Sequence, residues 1–265
     1  MNTTPSPEVS TASGRTGTAF GIDIGGSGIK GAPVDLTTGT FAADRIRIPT
    51  PSKSTPDAVS LVLRELAESF DLPQDMPVGI AFPAPIHHGV VPSIANLDAS
   101  WAGTDLQALA AEALGRPVIA VNDADAAGFG EATYGAAQGK EGVILVVTLG
   151  TGIGSALIVN GHLLPNTELG HLEIDGHDAE SRAADSARSR EDLSWGAWAK
   201  RLQRYFSVVE ALFSPDLIVV GGGVSKHHED FLPRLELRAP IVPAKLRNAA
   251  GIVGAAALAA QASQG

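Results

Sequence analysis

Two short apolar runs, Thr18–Ile24 and Ile29–Val34, stand on either side of a turn of glycine and serine near the start of the chain. Runs of that length bounded by small turn residues read as strands joined in a hairpin, and Thr40–Ile48 extends the pattern as a third antiparallel strand. Beyond the Pro/Ser stretch at 49–56 the period changes. Ala58, Leu61, Val62, Leu66 and Phe70 recur at helical spacing behind Thr55, a residue suited to an N-cap. A wholly apolar strand over Val78–Phe82 comes next, followed by a hairpin-like His-His-Gly turn, a helix over Leu106–Leu114 and a strand over Val118–Val121. An Ala/Gly-rich helix then runs from Asn122-Asp123 to about Tyr134.

The second half repeats this grammar. Val143–Thr148, Ile153–Val159 and His162–Leu164 restate the opening strands, and Trp198, Leu202, Phe206, Val209 and Phe213 form a helical stripe. Leu217–Val220 is a further strand, a helix is predicted around Lys226–Leu232, and Gly251–Ala260 is an apolar helix of small residues that must pack on something. Two halves built alike predict an α/β protein of two lobes, with mixed sheets flanked by helices and a cleft between them. Clefts of that kind are preferred ligand sites.

Composition narrows the classes. A chain of 265 residues can bury one large core or two ordinary ones. It has no cysteine, which excludes disulfides and thiolate metal sites and suits a cytoplasmic protein. The first seventeen residues are Ser/Thr/Pro/Gly-rich and read as a disordered tail, neither a signal peptide nor a membrane span. A formal charge of −10 argues against nucleic-acid or anionic-membrane partners, which need clustered Lys/Arg.

The chemistry concentrates in two glycine turns, "GIDIGGSGIKG" at 21–31 and "VVTLGTGIGSALIVNG" at 146–161. Glycine backbone presents N–H groups unblocked by side chains, and several together cradle phosphate oxygens. Gly25, Gly26, Ser27, Gly28 and Lys30 in the first turn, and Thr148, Gly150, Thr151 and Gly152 in the second, are the candidate phosphate ligands. Asp23 would repel a phosphate unless Mg²⁺ stood between them, so it is the candidate metal ligand. Either turn alone is an ordinary hairpin; the pair, flanked by Asp23 and Lys30, points to an anion held from both halves. Neither turn fits the P-loop or the dinucleotide fingerprint.

Taken in order, "DIGGSGIKG", "VNDADAA", "TLGTGIGSALIVNG" and "ELGH" resemble the ROK family of sugar kinases, within the actin/hexokinase-like (ribonuclease H-like) superfamily. "PNTELGHLEIDG", the ending "NAAGIVGAA" and the lack of cysteine are similar to the branch of that family that phosphorylates glucose, and in part mannose, from polyphosphate or ATP. The resemblance implies that residues 247–265 return to the first lobe, giving one lobe of 18–123 plus 247–265 and another of 124–246. It also implies a homodimer.

Asp123 stands where an apolar strand meets a helix. Its spacing suits an N-cap as well as a general base for an attacking hydroxyl. The resemblance implies the base, with Asn122, Glu168 and His171 on the sugar hydroxyls. The family's third sugar carboxylate lies in a cysteine-rich zinc segment; here "LEIDGHDAESRAADS" has no cysteine, so structural zinc is not expected. Glu180 best matches that carboxylate and Glu173 is the alternative. A metal cluster of His171, Asp175, His177 and Asp178 is discounted, Asp125 reads as a solvated helix residue, and His87 and His88 as exposed turn residues. Gly222, in the Gly-Gly-Gly after Leu217–Val220, falls where the family accommodates the nucleotide, and it also suits a plain strand-to-helix turn. Arg182, Arg188, Arg190, Lys200, Arg201 and Arg204 form either a solvated face or, with Lys30 and Lys53, a track for linear polyphosphate. An ATP-only hexokinase, a phosphohydrolase and a sugar sensor are the competing readings. The family's repressors carry an N-terminal helix-turn-helix that a seventeen-residue tail is too short to form.

Overall fold

The computed structural model describes residues 17–95 and 97–263. The expected disordered tail at 1–17 therefore lies, apart from Gly17, outside the described residues. In the first sheet β1 (Thr18–Gly25) pairs antiparallel with β2 (Gly28–Asp35) across its full length, from Thr18 opposite Asp35 to Gly25 opposite Gly28. The expected third strand is two pieces, β3 (Thr40–Phe41) and β4 (Ile46–Ile48), both on β2. Between the pairs Val34/Phe41 and Gly31/Ile46 the outer segment gains two residues, so one continuous ladder cannot form.

Helix α1 (Pro56–Glu68) starts as expected, with the Thr55 hydroxyl accepting from the Ala58 amide. Its buried stripe is Val59, Val62, Leu63 and Leu66; Leu61, expected inside, is 63% exposed. The apolar face is centred one position away from the predicted one, because Val59 and Leu63 complete the i, i+3, i+4, i+7 set and Leu61 falls outside it. Strand β5 (Val78–Phe82) joins β1 in parallel, and β6 (Val118–Asn122), preceded by α2 (Leu106–Leu114), joins β5 in parallel. The sheet order is β3-β2-β1-β5-β6, with β4 also on β2.

Helix α3 (Asp123–Tyr134) leads into the second sheet. There β7 (Val143–Leu149), β8 (Ile153–Val159) and β9 (His162–Leu164) form the antiparallel meander that the repeat predicts. After the small β10 (Glu173–Ile174) and β11 (His177–Asp178) hairpin come α4 (Ala179–Ala183), α5 (Asp185–Arg190) and α6 (Trp195–Phe213). Strand β12 (Leu217–Gly221) pairs parallel with β7, and β13 (Ile241–Pro243) with β12. Between them the expected helix at 226–232 is a 3₁₀ turn over Gly223–His227, a single turn α7 (His228–Phe231), and another 3₁₀ turn containing Pro233, whose ring lacks the N–H that a longer helix needs. Each sheet thus couples an antiparallel hairpin to parallel strands, which is the echo read from the sequence.

Each sheet has its own core. Phe20, Ile22, Ile80, Phe82 and Trp101 pack with α1 and α2, while Trp198, Leu202, Phe206 and Phe231 pack under β7 and β12. Helix α8 (Ala250–Ala262) lies on β1 and β5, α3 lies on β7 and β8, and the two helices cross. The crossing is built from residues almost without side chains. A Cβ at Gly254 would stand 1.7 Å from the Ala126 carbonyl oxygen. Near it the buried Glu131 carboxylate accepts from the amides of Ala136, Lys245 and Leu246, fixing the approach to α8 against the end of α3. Among the described residues no helix is long and apolar enough to cross a membrane.

Candidate active site

The C-terminal ends of parallel strands gather the predicted residues, as open α/β sheets generally arrange ligands. In the first sheet Asp23 lies opposite Ala81 on β5, and Phe82 opposite Asn122 on β6, so Asp23, Asn122 and Asp123 share one end. The helix cap is Asn122: its Oδ1 accepts from the amides of Ala124 and Asp125 at 2.9 and 3.1 Å. That leaves the Nδ2 of Asn122 and the carboxylate of Asp123, the first residue of α3, to face a ligand.

Asp123 is open to solvent from the cleft while protein crowds it on its other sides. The lost hydration, followed by repulsion from Asp23, pushes its pKa up to about 7, with Glu168 adding to the rise. Asp23 and Glu168 therefore both act on Asp123, one from each sheet's side. Asp23 itself is bonded at 3.0 Å to Lys30, its cross-strand neighbour.

Glu168 and His171 flank the 3₁₀ turn Leu169–His171, which brings both to one edge. Burial pushes the Glu168 carboxyl up, His171 offsets part of this, and Glu180 adds to it. The His171 Nδ1 meets Asp178 Oδ2 at 2.8 Å, and this bond holds the imidazole above its ordinary pKa and presents Nε2 outward. Glu180 Oε2 accepts from the Ile153 amide at 3.0 Å, at the base of the second glycine turn, and ligand atoms of His171, Asp178 and Glu180 lie within 4.8 Å of one another. Glu173 instead sits exposed on β10, opposite Asp178. Asp175 does not join the group. It forms a two-pronged bond with Arg204 at 2.7 and 2.9 Å.

Both glycine turns are gripped from behind by their carbonyls. Thr50 Oγ1 donates to Gly25 O at 2.5 Å and Arg47 Nη2 to Ser27 O at 2.5 Å. In the second turn the Ser186 amide donates to Gly150 O at 3.0 Å and its hydroxyl to Thr151 O at 2.6 Å. With those oxygens engaged, and the Gly150 amide itself donating to Gly152 O at 3.0 Å, the remaining N–H groups and the hydroxyls are what the two turns still offer an anion. Gly222 has φ +84°, and a Cβ there would lie 2.2 Å from the Leu149 carbonyl oxygen, so only glycine lets β12 end against the Thr148–Leu149 corner.

Sequence reasoning missed these gripping residues, because Arg47, Thr50 and Ser186 act across strands or from a later helix. It also misplaced Asp125, which is 1% exposed. One oxygen accepts from the Asn166 amide at 2.7 Å; the other is buried with no hydrogen-bond partner. The Asn166 side chain in turn exchanges bonds with the Ile86 amide and carbonyl, so Asp125 anchors the link between the Glu168 loop and the Pro83–Ile86 loop. The available signal was the helix itself, whose Ala/Gly content on every side leaves no wet face.

Burial, ahead of other causes, pushes the Asp125 pKa from 3.8 to about 7. A carboxyl raised on folding favours the native state while neutral and destabilises it as pH climbs from about 4 to 7. Asp125→Asn is therefore expected to be more stable than wild type at pH 8 by up to roughly 4 kcal/mol. The advantage should vanish near pH 4 in urea titrations; a difference independent of pH would contradict the assignment.

A hollow of about 780 Å³ along α6, reaching Arg234 and Glu236, is bordered by Lys200 of the basic run but by none of the candidate sugar, phosphate-turn or metal residues. The candidate site is instead the open cleft that Asp23, Asp123 and Glu168 face.

Two mixed sheets of matching plan, with crossing helices between them and carboxylates at the strand ends, are the actin/hexokinase-like fold of sugar kinases. Residues 19–188 match the ROK family model, and the chain belongs to that family. The polyphosphate glucokinase of Mycobacterium tuberculosis is 47% identical over 257 residues, 96% of each chain. The crystal structure of the inorganic polyphosphate/ATP-glucomannokinase from Arthrobacter sp. strain KM is 55% identical, with a TM-score of 0.86, covering 92% of this chain and 99% of that one. The ROK hexokinase from Thermus thermophilus is 26% identical, with a TM-score of 0.74 over 93% of this chain and 99% of its own.

Proposed function

We propose that the chain is a Mg²⁺-dependent hexose kinase that moves the terminal phosphoryl group of inorganic polyphosphate or ATP to the 6-hydroxyl of glucose, and also of mannose. The observation that carries this is the convergence of Asp23 and Glu168, one from each sheet's side, on Asp123, whose carboxyl pKa is pushed up to about 7 by burial and those two charges. Asn122, Glu168, His171 and Glu180 hold the ring. Asp123 takes the hydroxyl proton while the oxygen forms its bond to phosphorus and the bond to the departing donor breaks. Gly25, Gly26, Ser27, Gly28, Lys30, Thr148, Gly150, Thr151, Gly152 and Gly222 orient the donor.

Asp23 fits a hard cation: it offers carboxylate oxygens at the end of the strand that leads into the first glycine turn, close enough to Asp123 for the two carboxylates to repel. Mg²⁺ held there would supply charge neutralisation on the donor. Residues 18–123 with 247–265, and 124–246, are the two lobes that close on the sugar and exclude water. A cytoplasmic homodimer completes the reading.

A donor-by-acceptor matrix with Mg²⁺ tests it. Sugar 6-phosphate formed from both polyphosphate and ATP is the expected result. Product from ATP alone would make the chain an ATP-only hexokinase, phosphate release without sugar would make it a hydrolase, and no consumption of either donor would leave a non-catalytic sensor.

A further inference from the structure

Behind α4, on the side away from Glu180, a pocket of about 250 Å³ is bounded by the β10–β11 hairpin, α4 and α6. Arg182, Lys200, Arg201, Arg204 and His177 line it, against a single carboxylate, Asp175, in a chain whose net charge is −10. The cations are not equivalent. Arg204 is spent on Asp175, and Arg201 is held by Glu191 and the Arg182 carbonyl. Among the described residues, neither Lys200 nor the Arg182 guanidinium has a hydrogen-bond or ion-pair partner, and both are exposed. The pocket also contains Tyr205, whose hydroxyl is buried without a hydrogen-bond partner.

This pocket connects to the catalytic cleft through very little chain. Glu180, tied to the base of the second glycine turn, and Arg182 are two residues apart on α4, about 3 Å along its axis and on opposite sides. We propose that the pocket is a distal anchoring subsite for linear inorganic polyphosphate, with Lys200 and Arg182 holding inner phosphoryl units while Arg201 and Arg204, already paired, frame it. The inference rests on the donor reading above. It narrows the run of basic residues in the sequence to two free cations. A nucleotide carries no repeated anion to follow its terminal phosphates, so the subsite favours long chains.

The test is the Arg182→Ala/Lys200→Ala double variant, with Arg182→Lys/Lys200→Arg as the charge-keeping control. With glucose saturating, KM for long-chain polyphosphate is expected to rise roughly tenfold in the double variant, most at low salt. KM for tripolyphosphate and ATP should stay within about twofold, kcat should be unchanged, and the control should behave as wild type. An unmoved long-chain KM, or equal rises for all three donors, would overturn the subsite. Should wild type transfer nothing from polyphosphate, the donor reading fails separately, and calorimetry with long-chain polyphosphate on the same proteins decides the pocket. Binding weakened in the double variant would uphold it; equal or no binding would remove it.

Discussion

Asp123→Asn is expected to lower kcat by about 10³-fold while glucose KM stays within about threefold, since a positioned base contributes about 10² to 10⁴. The substitution keeps the shape and the oxygen that accepts from the Ala124 amide at 2.8 Å. Helix α3 does not depend on it, because Asn122 caps the helix with two amide bonds. The variant should therefore fold, and above pH 7 it should melt no lower than wild type. The sign follows from the pKa: a carboxyl raised on folding costs stability where it ionises, so removing it relieves that cost on the alkaline side. A cap residue would show the opposite pattern, with lost stability and spared turnover. Wild-type kcat/KM should climb with unit slope below an apparent pKa near 7 and then level off, and the residual activity of the variant should lack that limb. Retention of more than a tenth of wild-type kcat would remove Asp123 as the base.

How much of this could be read from the chain depended on whether the controlling contact was local. Period and turn chemistry are local, so both hairpins, the Thr55 cap, the parallel strands and the buried final helix were legible. The candidate residues were legible for the same reason, as types at a strand end. What escaped was set by partners far off in sequence. The split of the third strand follows from register on β2, and the bond from the Ile153 amide that fixes the Glu180 carboxylate spans twenty-seven residues. Asp125 looked wet because aspartate in a helix usually is; Asn166, forty-one residues on, holds it inside. The basic run read as either a solvated face or a track, and the sequence did not show that Asp185, Glu191 and Asp175 pair with Arg188, Arg190, Arg201 and Arg204.

Gly254→Ala should cost at least about 3 kcal/mol, although glycine to alanine inside a helix ordinarily gains up to about 1 kcal/mol. The sign reverses because the new methyl would meet main chain: 1.7 Å to the Ala126 oxygen, 2.6 Å to its carbon and 2.9 Å to the Gly130 nitrogen. No rotamer change clears such a clash, so α3 and α8 must separate. Gly251 on the same helix is the control. Its added Cβ would find Asp23 and Ala81 side-chain atoms at 3.7 and 3.8 Å, an ordinary contact, and Gly251→Ala should be neutral to slightly stabilising. The two substitutions differ by three residues and one methyl position, so urea titrations of the pair isolate the crossing from helix propensity. A neutral Gly254→Ala would mean that the helices do not approach this closely. Catalysis should follow stability at this site, since α3 begins with Asp123 and carries Asp125 in the same first turn. Any Gly254→Ala protein that remains folded is therefore expected to lose kcat as well, because shifting α3 moves the base relative to residues held on the second sheet.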